Sequence, residues 1–154
     1  MSKLKLQCFN TIGEWEYQDT KRVVQHGILS GFLGGELHGG FYVKSLERAW
    51  CKTFGCTHAI ACNSATSGLL AACHAVGVCN EEVIVSPYTM SATAAAPAFL
   101  GADLKFIDIE PNHYCLDPGR AASRFDSLHH NPKAIIATNL FGHPAELKLL
   151  AQLA

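Results

Sequence analysis

The chain has 154 residues, with 12 Lys and Arg, 13 Asp and Glu, a formal net charge of -1 and 49% hydrophobic residues. This length suffices for one domain, and the apolar content excludes a disordered chain. The near-zero net charge argues against a nucleic acid partner, and no apolar run approaches the roughly 20 residues of a membrane span, so we expect a cytoplasmic protein without a membrane partner.

The first forty residues show weak hydrophobic periodicity and many glycines. The glycine cluster at 27–35 and the pair Gly39-Gly40 predict a flexible or tightly turning loop rather than a strand. Neither the dinucleotide-binding fingerprint nor the P-loop motif occurs there. We therefore predict an N-terminal arm with a Gly-rich loop over residues 1–40 and an α/β domain over residues 41–154.

Helical and strand patterns alternate from residue 41 onwards. The predicted strands cover residues 58–62, 82–85, 104–108 and 134–138, and the predicted helices cover 41–54, 65–76, 91–100, a segment beginning at Asp117-Pro118, and 145–154. Gly55 and Gly77 stand where helix C-termini favour a left-handed residue, and Asn63 or Ser64 is a candidate N-cap. Because the strands are apolar throughout, we predict an α/β fold whose mainly parallel sheet has helices on both faces.

The predicted last helix leaves an alternative open. In an alternating α/β pattern such a helix normally leads to another strand. Either this helix ends the protein or the chain stops within a domain.

Seven cysteines, an odd number, argue against a disulfide framework. Five of them lie in or beside apolar segments, namely Cys51, Cys56, Cys62, Cys73 and Cys79. We expect these to be small buried hydrophobic residues. Their spacing does not fit paired zinc ligands, so no metal site is predicted.

Ligands of open parallel sheets bind at the carboxyl ends of the strands, where three turns stand out. The turn 63–68 consists of small and hydroxylated residues and precedes a predicted helix. It is therefore either a phosphate site or only a helix cap. In the second turn, Tyr88 or Met90 lies against a flat ligand or packs in the core. In the third, His143 is a base or a turn residue. No catalytic residue is assigned, since a Gly-x-Ser-x-Gly elbow and a recognisable carboxylate pair are both absent.

The turns and their flanking segments resemble the DegT/DnrJ/StrS family of pyridoxal-phosphate-dependent sugar aminotransferases. The matching segments are 27–31, 42–43, 46–47, 54–56, 63–69, 82–93, 101–102, 106–109, 133–136 and 141–145. The resemblance implies the large domain of the aspartate-aminotransferase fold. It assigns the phosphate of pyridoxal 5'-phosphate to Ser64, Ala65 and Thr66, and it places Met90 where the family usually has an aromatic residue against the pyridine ring.

The resemblance also implies what these residues do not supply. The Schiff-base lysine and the acidic partner of the pyridinium nitrogen fall beyond the position that matches Ala154, so we expect an N-terminal part that is inactive alone. The complete enzyme is expected to transfer an amino group from glutamate or glutamine to a nucleotide-linked keto-sugar. It is expected to act as a homodimer, with residues 27–40 contributing to the neighbouring site. The alternatives are a non-catalytic remnant that dimerises or docks on a full-length homologue, and one half of an enzyme completed by a separate C-terminal chain.

Overall fold

A computed structural model of the protein describes residues 11–31, 39–125 and 132–153. The chain divides into two compact units, Met1–Ala61 and Cys62–Ala154. The part of the glycine-rich stretch at residues 32–38 lies outside the described residues. None of the described helices combines the length and the apolar character that a membrane span requires.

The first unit contains two helices, of which sequence analysis predicted one. Sequence analysis missed helix α1, Glu14–His26, because the weak hydrophobic periodicity and the many glycines of the first forty residues indicated a loop; none of the residues of α1 is buried. Its local polar interactions are typical of a helix: the Glu16 carboxylate accepts a hydrogen bond from the Gly13 N–H at 2.8 Å. Helix α2, Phe41–Phe54, has the predicted bounds and ends at Gly55, whose φ of +67° is left-handed.

The predicted strand at 58–62 is wrong. These residues form neither helix nor strand, and Ile60 is 79% exposed. A strand requires a hydrogen-bonding neighbour, whereas the Ala61 N–H donates to a Glu47 carboxylate oxygen at 2.9 Å. High strand propensity without a paired strand therefore leaves this segment outside any strand and mostly exposed.

The second unit is an α/β arrangement in which three parallel strands form a sheet of order β2-β1-β3. Its elements are α3 (Ala65–Ala75), β1 (Glu82–Val85), α4 (Ala92–Phe99), β2 (Asp103–Phe106), α5 (Pro118–Phe125), β3 (Ala134–Ile136), a 3-10 turn (Leu140–Gly142) and α6 (Leu147–Leu150). The strands β2 and β3 end two residues earlier than predicted.

The central strand β1 is buried on both faces from Val83 to Val85, as the apolar run at these positions predicts. Val83 and Val85 face one cluster, which includes Cys73 of α3, whereas Ile84 faces the other. The Ile84 cluster includes Ala121 of α5 and Leu150 of α6. Helices therefore cover both faces of the sheet, which confirms the predicted α/β fold.

The last helix begins later than predicted. Residue 145 was expected to open it, but the Ala145 N–H donates to the Asn139 side-chain oxygen at 2.9 Å. Glu146 has a ψ of 61°, which is not helical, and it caps a short helix of four residues. A tertiary hydrogen bond thus holds the chain in a turn where the sequence pattern favours a helix.

The prediction of buried cysteines holds for only one of the five. Cys73 is buried against the sheet, whereas Cys56, Cys62 and Cys79 are exposed and Cys51 is partly exposed. Each exposed thiol lies outside a helix or strand, so an apolar neighbourhood in sequence did not translate into burial.

Candidate functional site

The first candidate turn lies at the N-terminus of α3. Ser64 is the N-cap, with an extended backbone at φ -158° and ψ 157°. Its hydroxyl oxygen accepts a hydrogen bond from the Ser67 N–H at 3.1 Å, and its carbonyl accepts one from the Gly68 N–H at 3.0 Å. The predicted N-cap is therefore confirmed: the Ser64 side chain satisfies the orphan N–H of Ser67, and its carbonyl accepts the first regular hydrogen bond of the helix.

Two further donors of the first turn, the N–H groups of Ala65 and Thr66, have no acceptor among the described residues. Both residues and Ser64 are exposed, so small side chains surround a solvent-accessible helix end. The positive end of the helix dipole adds to these donors. The turn is thus both a helix cap and an accessible anion-binding arrangement, because capping uses the Ser67 donor and leaves the first two available.

A second group of polar side chains links the carboxyl ends of β1 and β3. The Thr89 hydroxyl lies 3.0 Å from the Thr93 hydroxyl and 3.2 Å from the Thr138 hydroxyl. Buried Ser86 accepts a hydrogen bond from the Tyr88 N–H at 3.1 Å. These contacts fix the turn after β1 and direct Met90 to the surface, where it is 77% exposed. Neither Tyr88 nor Met90 is a core residue.

Three aromatic residues gather beside this turn, and sequence analysis anticipated only Tyr88. The centroid of the Tyr88 ring lies 6.0 Å from that of Tyr114 and 6.5 Å from that of Phe141. Tyr114 and Phe141 have φ values of +62° and +51°, which are strained for bulky residues. Strain of this kind costs on the order of 1–3 kcal/mol for each residue and concentrates at functional sites. Sequence periodicity carries no signal for such a conformation.

The third candidate, His143, is neither an isolated base nor a simple turn residue. Its ring stacks on that of His113, with centroids 3.7 Å apart and planes 3° from parallel. Both line a cavity of about 220 Å³. A metal ion lies in the plane of each imidazole that binds it, so rings stacked in parallel do not share one. In the described ranges no group of three potential metal ligands comes together.

Glu110 organises the loop beside the stacked imidazoles. Its carboxylate accepts hydrogen bonds from the N–H groups of Asn112, His113 and Cys115, at 2.7, 2.8 and 3.3 Å. Burial raises the pKa of this carboxyl, but the three backbone donors together outweigh burial, and the net pKa is lowered. The carboxylate is therefore ionised at neutral pH and holds the loop that carries Tyr114.

Lys105 lies within strand β2 and is not suited to nucleophilic chemistry. Its ammonium group lies 2.7 Å from an Asp103 oxygen and 3.4 Å from a Glu82 oxygen. The hydrogen bond to Asp103 is the main reason that its pKa is raised. A lysine nucleophile must lose its proton, so these carboxylates hold Lys105 in the unreactive form.

The structure brings Tyr88, Tyr114 and Phe141 together, but it does not join them to the α3 turn. Within the described part of the chain, no hydrogen bond or ring contact connects Ser64, Ala65 or Thr66 with Met90. The predicted phosphate turn and the predicted ring contact both lie in the second unit.

A sequence profile of the DegT/DnrJ/EryC1/StrS aminotransferase family matches residues 18–154. The chain belongs to this family. Among its relatives, the UDP-4-amino-4,6-dideoxy-N-acetyl-beta-L-altrosamine transaminase of Campylobacter jejuni serotype O:2 is 36% identical over 117 residues. That match covers 76% of this chain and 31% of the relative, so the chain spans about a third of the length of such relatives.

Solved structures support the same fold. An aminotransferase from Psychrobacter cryohalolentis matches with a TM-score of 0.82 at 21% identity, covering 97% of this chain and 36% of that protein. The 3-amino-5-hydroxybenzoic acid synthase matches with a TM-score of 0.81 at 26% identity, covering 97% of this chain and 37% of the synthase. This DegT/DnrJ/EryC1/StrS chain therefore has the aspartate-aminotransferase-like fold, and its family implies pyridoxal 5'-phosphate as cofactor.

The residues of this family member fit one end of that cofactor. Its phosphate is a small anion that requires several donors, and the α3 turn offers two unpaired N–H groups with an exposed Thr66 hydroxyl. Its ring is flat and apolar on both faces, and the exposed Met90 thioether suits such a surface.

Proposed function

We propose that this chain binds the phosphate of pyridoxal 5'-phosphate through Ser64, Ala65 and Thr66 and contacts one face of its ring through Met90. The observation that carries the proposal is the pair of unpaired N–H groups at the exposed N-terminus of α3. Capping explains Ser64 but leaves those two donors without a role.

Each residue has a distinct task in this proposal. The N–H groups of Ala65 and Thr66 and the Thr66 hydroxyl donate to phosphate oxygens, whereas Ser64 positions them by capping the helix. A thioether against an aromatic face contributes about 0.3–1.5 kcal/mol, so Met90 adds less than the phosphate contacts. When bound, the cofactor supplies an electron sink for amino-group transfer.

We further propose that the complete enzyme transfers an amino group from glutamate or glutamine to a nucleotide-linked keto-sugar. The name of the Campylobacter relative, a transaminase of a UDP-linked sugar, supports this substrate class. Two carboxylates hold Lys105 as an ammonium ion, and this chain matches only 31% of the length of the Campylobacter relative. The proposal therefore assigns the covalent cofactor link to a lysine outside these 154 residues. That lysine belongs either to the same polypeptide or to a separate C-terminal chain.

The phosphate assignment is tested with pyridoxamine 5'-phosphate, whose amine forms no covalent adduct with surface lysines. We expect this ligand to bind the chain more tightly than pyridoxamine, which lacks the phosphate. Substitution Thr66→Val removes a hydrogen bond to a charged group, worth about 1.5–3 kcal/mol, and weakens binding roughly 10–150-fold.

Thr53→Val is the matched control because Thr53 is also an exposed helical threonine, in α2. Its ligand affinity should equal that of the unsubstituted chain. Equal affinity for pyridoxamine and its phosphate ester, or equal affinities for the two threonine variants, would reject the assignment.

A second candidate function, self-association, rests on a different observation. Leu46, Trp50 and Phe54 recur at four-residue steps along α2 and are 56%, 53% and 63% exposed. The Trp50 and Phe54 rings lie 4.4 Å apart, so they form one apolar stripe. We propose that a second copy of the chain covers this stripe.

Sedimentation velocity over a concentration series tests this candidate. The chain should sediment as a dimer at high concentration, and Leu46→Lys should shift it to monomer. A chain that remains monomeric throughout the series would exclude self-association through α2.

A further inference from the structure

The C-terminus of α2 brings two cysteine side chains into contact. Gly55, with φ +67° and ψ 21°, turns the chain back over the last turn of the helix. Such a left-handed turn places the residue that follows the glycine against the helical residue that lies four positions before the glycine. Here these residues are Cys56 and Cys51, both free thiols, and the Cys56 thiol is near enough to contribute to the raised pKa of Cys51.

The pair is accessible from solvent. Cys56 is exposed, and Cys51 is partly exposed and lines an open cleft of about 590 Å³. Arg48, Lys52 and His58 also line this cleft. Small polar oxidants therefore reach the Cys56 thiol directly, with the Cys51 thiol already beside it.

We propose that Cys51 and Cys56 form a reversible redox pair that closes to a disulfide when the protein meets a peroxide. The Cys56 thiolate attacks one peroxide oxygen, the O–O bond breaks, and a sulfenic acid and hydroxide form. The Cys51 sulfur then attacks the Cys56 sulfur, the S–O bond breaks, and water leaves with the Cys51 proton. Two thiols are oxidised and one peroxide is reduced, and a dithiol reductant reverses the change.

The surroundings of the two thiols favour this order of events. Burial, followed by the contact with Cys56, raises the pKa of the Cys51 thiol, so Cys51 remains protonated and reacts second. An exposed thiol next to a resolving thiol is the usual arrangement of redox-sensing cysteines. Exposed Cys79 differs, because its sulfur lies 3.7 Å from a His74 ring nitrogen rather than beside a thiol.

The closed bond would tie the last turn of α2 to the segment that follows Gly55. Disulfide geometry requires the two Cα atoms to lie about 4.4–6.8 Å apart, and thiols already in contact approach that requirement without a large backbone movement. Oxidation therefore modifies one local turn and leaves the buried Cys73 unchanged.

Peptide mapping of the 154-residue chain tests the proposal. Trypsin cleaves after Arg48 and Lys52, so Cys51 lies on the peptide 49–52 and Cys56 on the peptide 53–105. After treatment with hydrogen peroxide and alkylation of the remaining thiols, the free peptide 49–52 should be almost completely lost. It should be recovered after reduction, and titration should show two fewer free thiols for each oxidised chain.

Two variants separate this pair from the other thiols. Cys56→Ser should restore release of peptide 49–52 after peroxide treatment, whereas the matched control Cys79→Ser should behave like the unsubstituted chain. Full release of peptide 49–52 from the oxidised unsubstituted chain would overturn the proposal without any variant. A cross-link that persists in Cys56→Ser would overturn it as well, since Cys51 would then pair elsewhere.

Discussion

Replacing Ser64 by aspartate should separate the two roles of the α3 turn, because helix capping and phosphate binding respond to this change in opposite directions. The Ser64 oxygen accepts a hydrogen bond from the Ser67 N–H at 3.1 Å, and an aspartate oxygen is an equally good N-cap acceptor. The Ser64→Asp variant therefore keeps the cap. It also adds a negative charge beside the proposed phosphate position.

The expected magnitudes follow from the exposed position of this turn. A carboxylate at a helix N-terminus contributes about 0.3–1 kcal/mol through the helix dipole, so the free energy of unfolding should rise by that amount. Two unit charges at 4 Å in bulk water repel by about 1 kcal/mol, and a phosphate ester carries about 1.5–2 charges. Binding of pyridoxamine 5'-phosphate should therefore weaken by about 1.5–2 kcal/mol, or roughly 10–30-fold.

Urea denaturation measures the free energy of unfolding, and titration of the same samples measures the affinity for pyridoxamine 5'-phosphate. Ser64→Ala is the companion variant, and loss of its cap should cost about 1 kcal/mol of unfolding free energy. If Ser64→Asp binds the ligand as tightly as the unsubstituted chain does, the phosphate does not lie at this turn. If Ser64→Asp is destabilised as much as Ser64→Ala, the capping argument is wrong.

Three further predictions concern the core, the acid sensitivity and the ring contact. Ile84 is fully buried, so Ile84→Ala should lower the free energy of unfolding in urea by about 2–5 kcal/mol, whereas Ile60→Ala at an exposed position should change it by less than about 0.5 kcal/mol. Similar losses in both variants would contradict the observed core. The lowered pKa of Glu110 stabilises the fold above the ordinary glutamate pKa of about 4.3, and this contribution is lost as the pH falls through the folded value. Glu110→Gln should therefore flatten the acid dependence of urea unfolding, and an unchanged slope would refute this. Met90→Phe should tighten binding of pyridoxamine 5'-phosphate in a fluorescence titration, and no change would place Met90 away from the ring.

The fold could be predicted from sequence where local signals and tertiary structure agree. Gly55 ends α2 as its position indicates, and Ser64 caps α3. The apolar run 83–85 became the buried part of the central strand, because a strand that is covered on both faces requires apolar residues at successive positions. In each of these cases the interaction that the structure shows also requires that type of residue, so the residue type predicts the interaction.

Sequence reasoning failed where the deciding interaction comes from outside the local segment. It also failed where an element buries no side chains and therefore has no apolar pattern that marks it. Helix α1 is stabilised by pairs such as Arg22 with Asp19 at 2.9 Å, which leave no apolar period. The segment 58–62 has the composition of a strand, but pairing depends on a neighbour that composition does not encode. Asn139 stops the last helix from beginning at Ala145 through a contact between residues six positions apart.

The candidate site shows the same division. The α3 turn was identifiable because a phosphate site at a helix end needs small, hydroxylated residues that are consecutive in sequence. The aromatic cluster was not, because Tyr88, Tyr114 and Phe141 come from three separate turns and two of them have left-handed backbones. A binding surface assembled from the carboxyl ends of parallel strands is defined by the order β2-β1-β3 rather than by sequence spacing. The proposed anion-binding turn is therefore local and can be identified from sequence, whereas any surface that selects a substrate depends on the sheet that brings distant turns together.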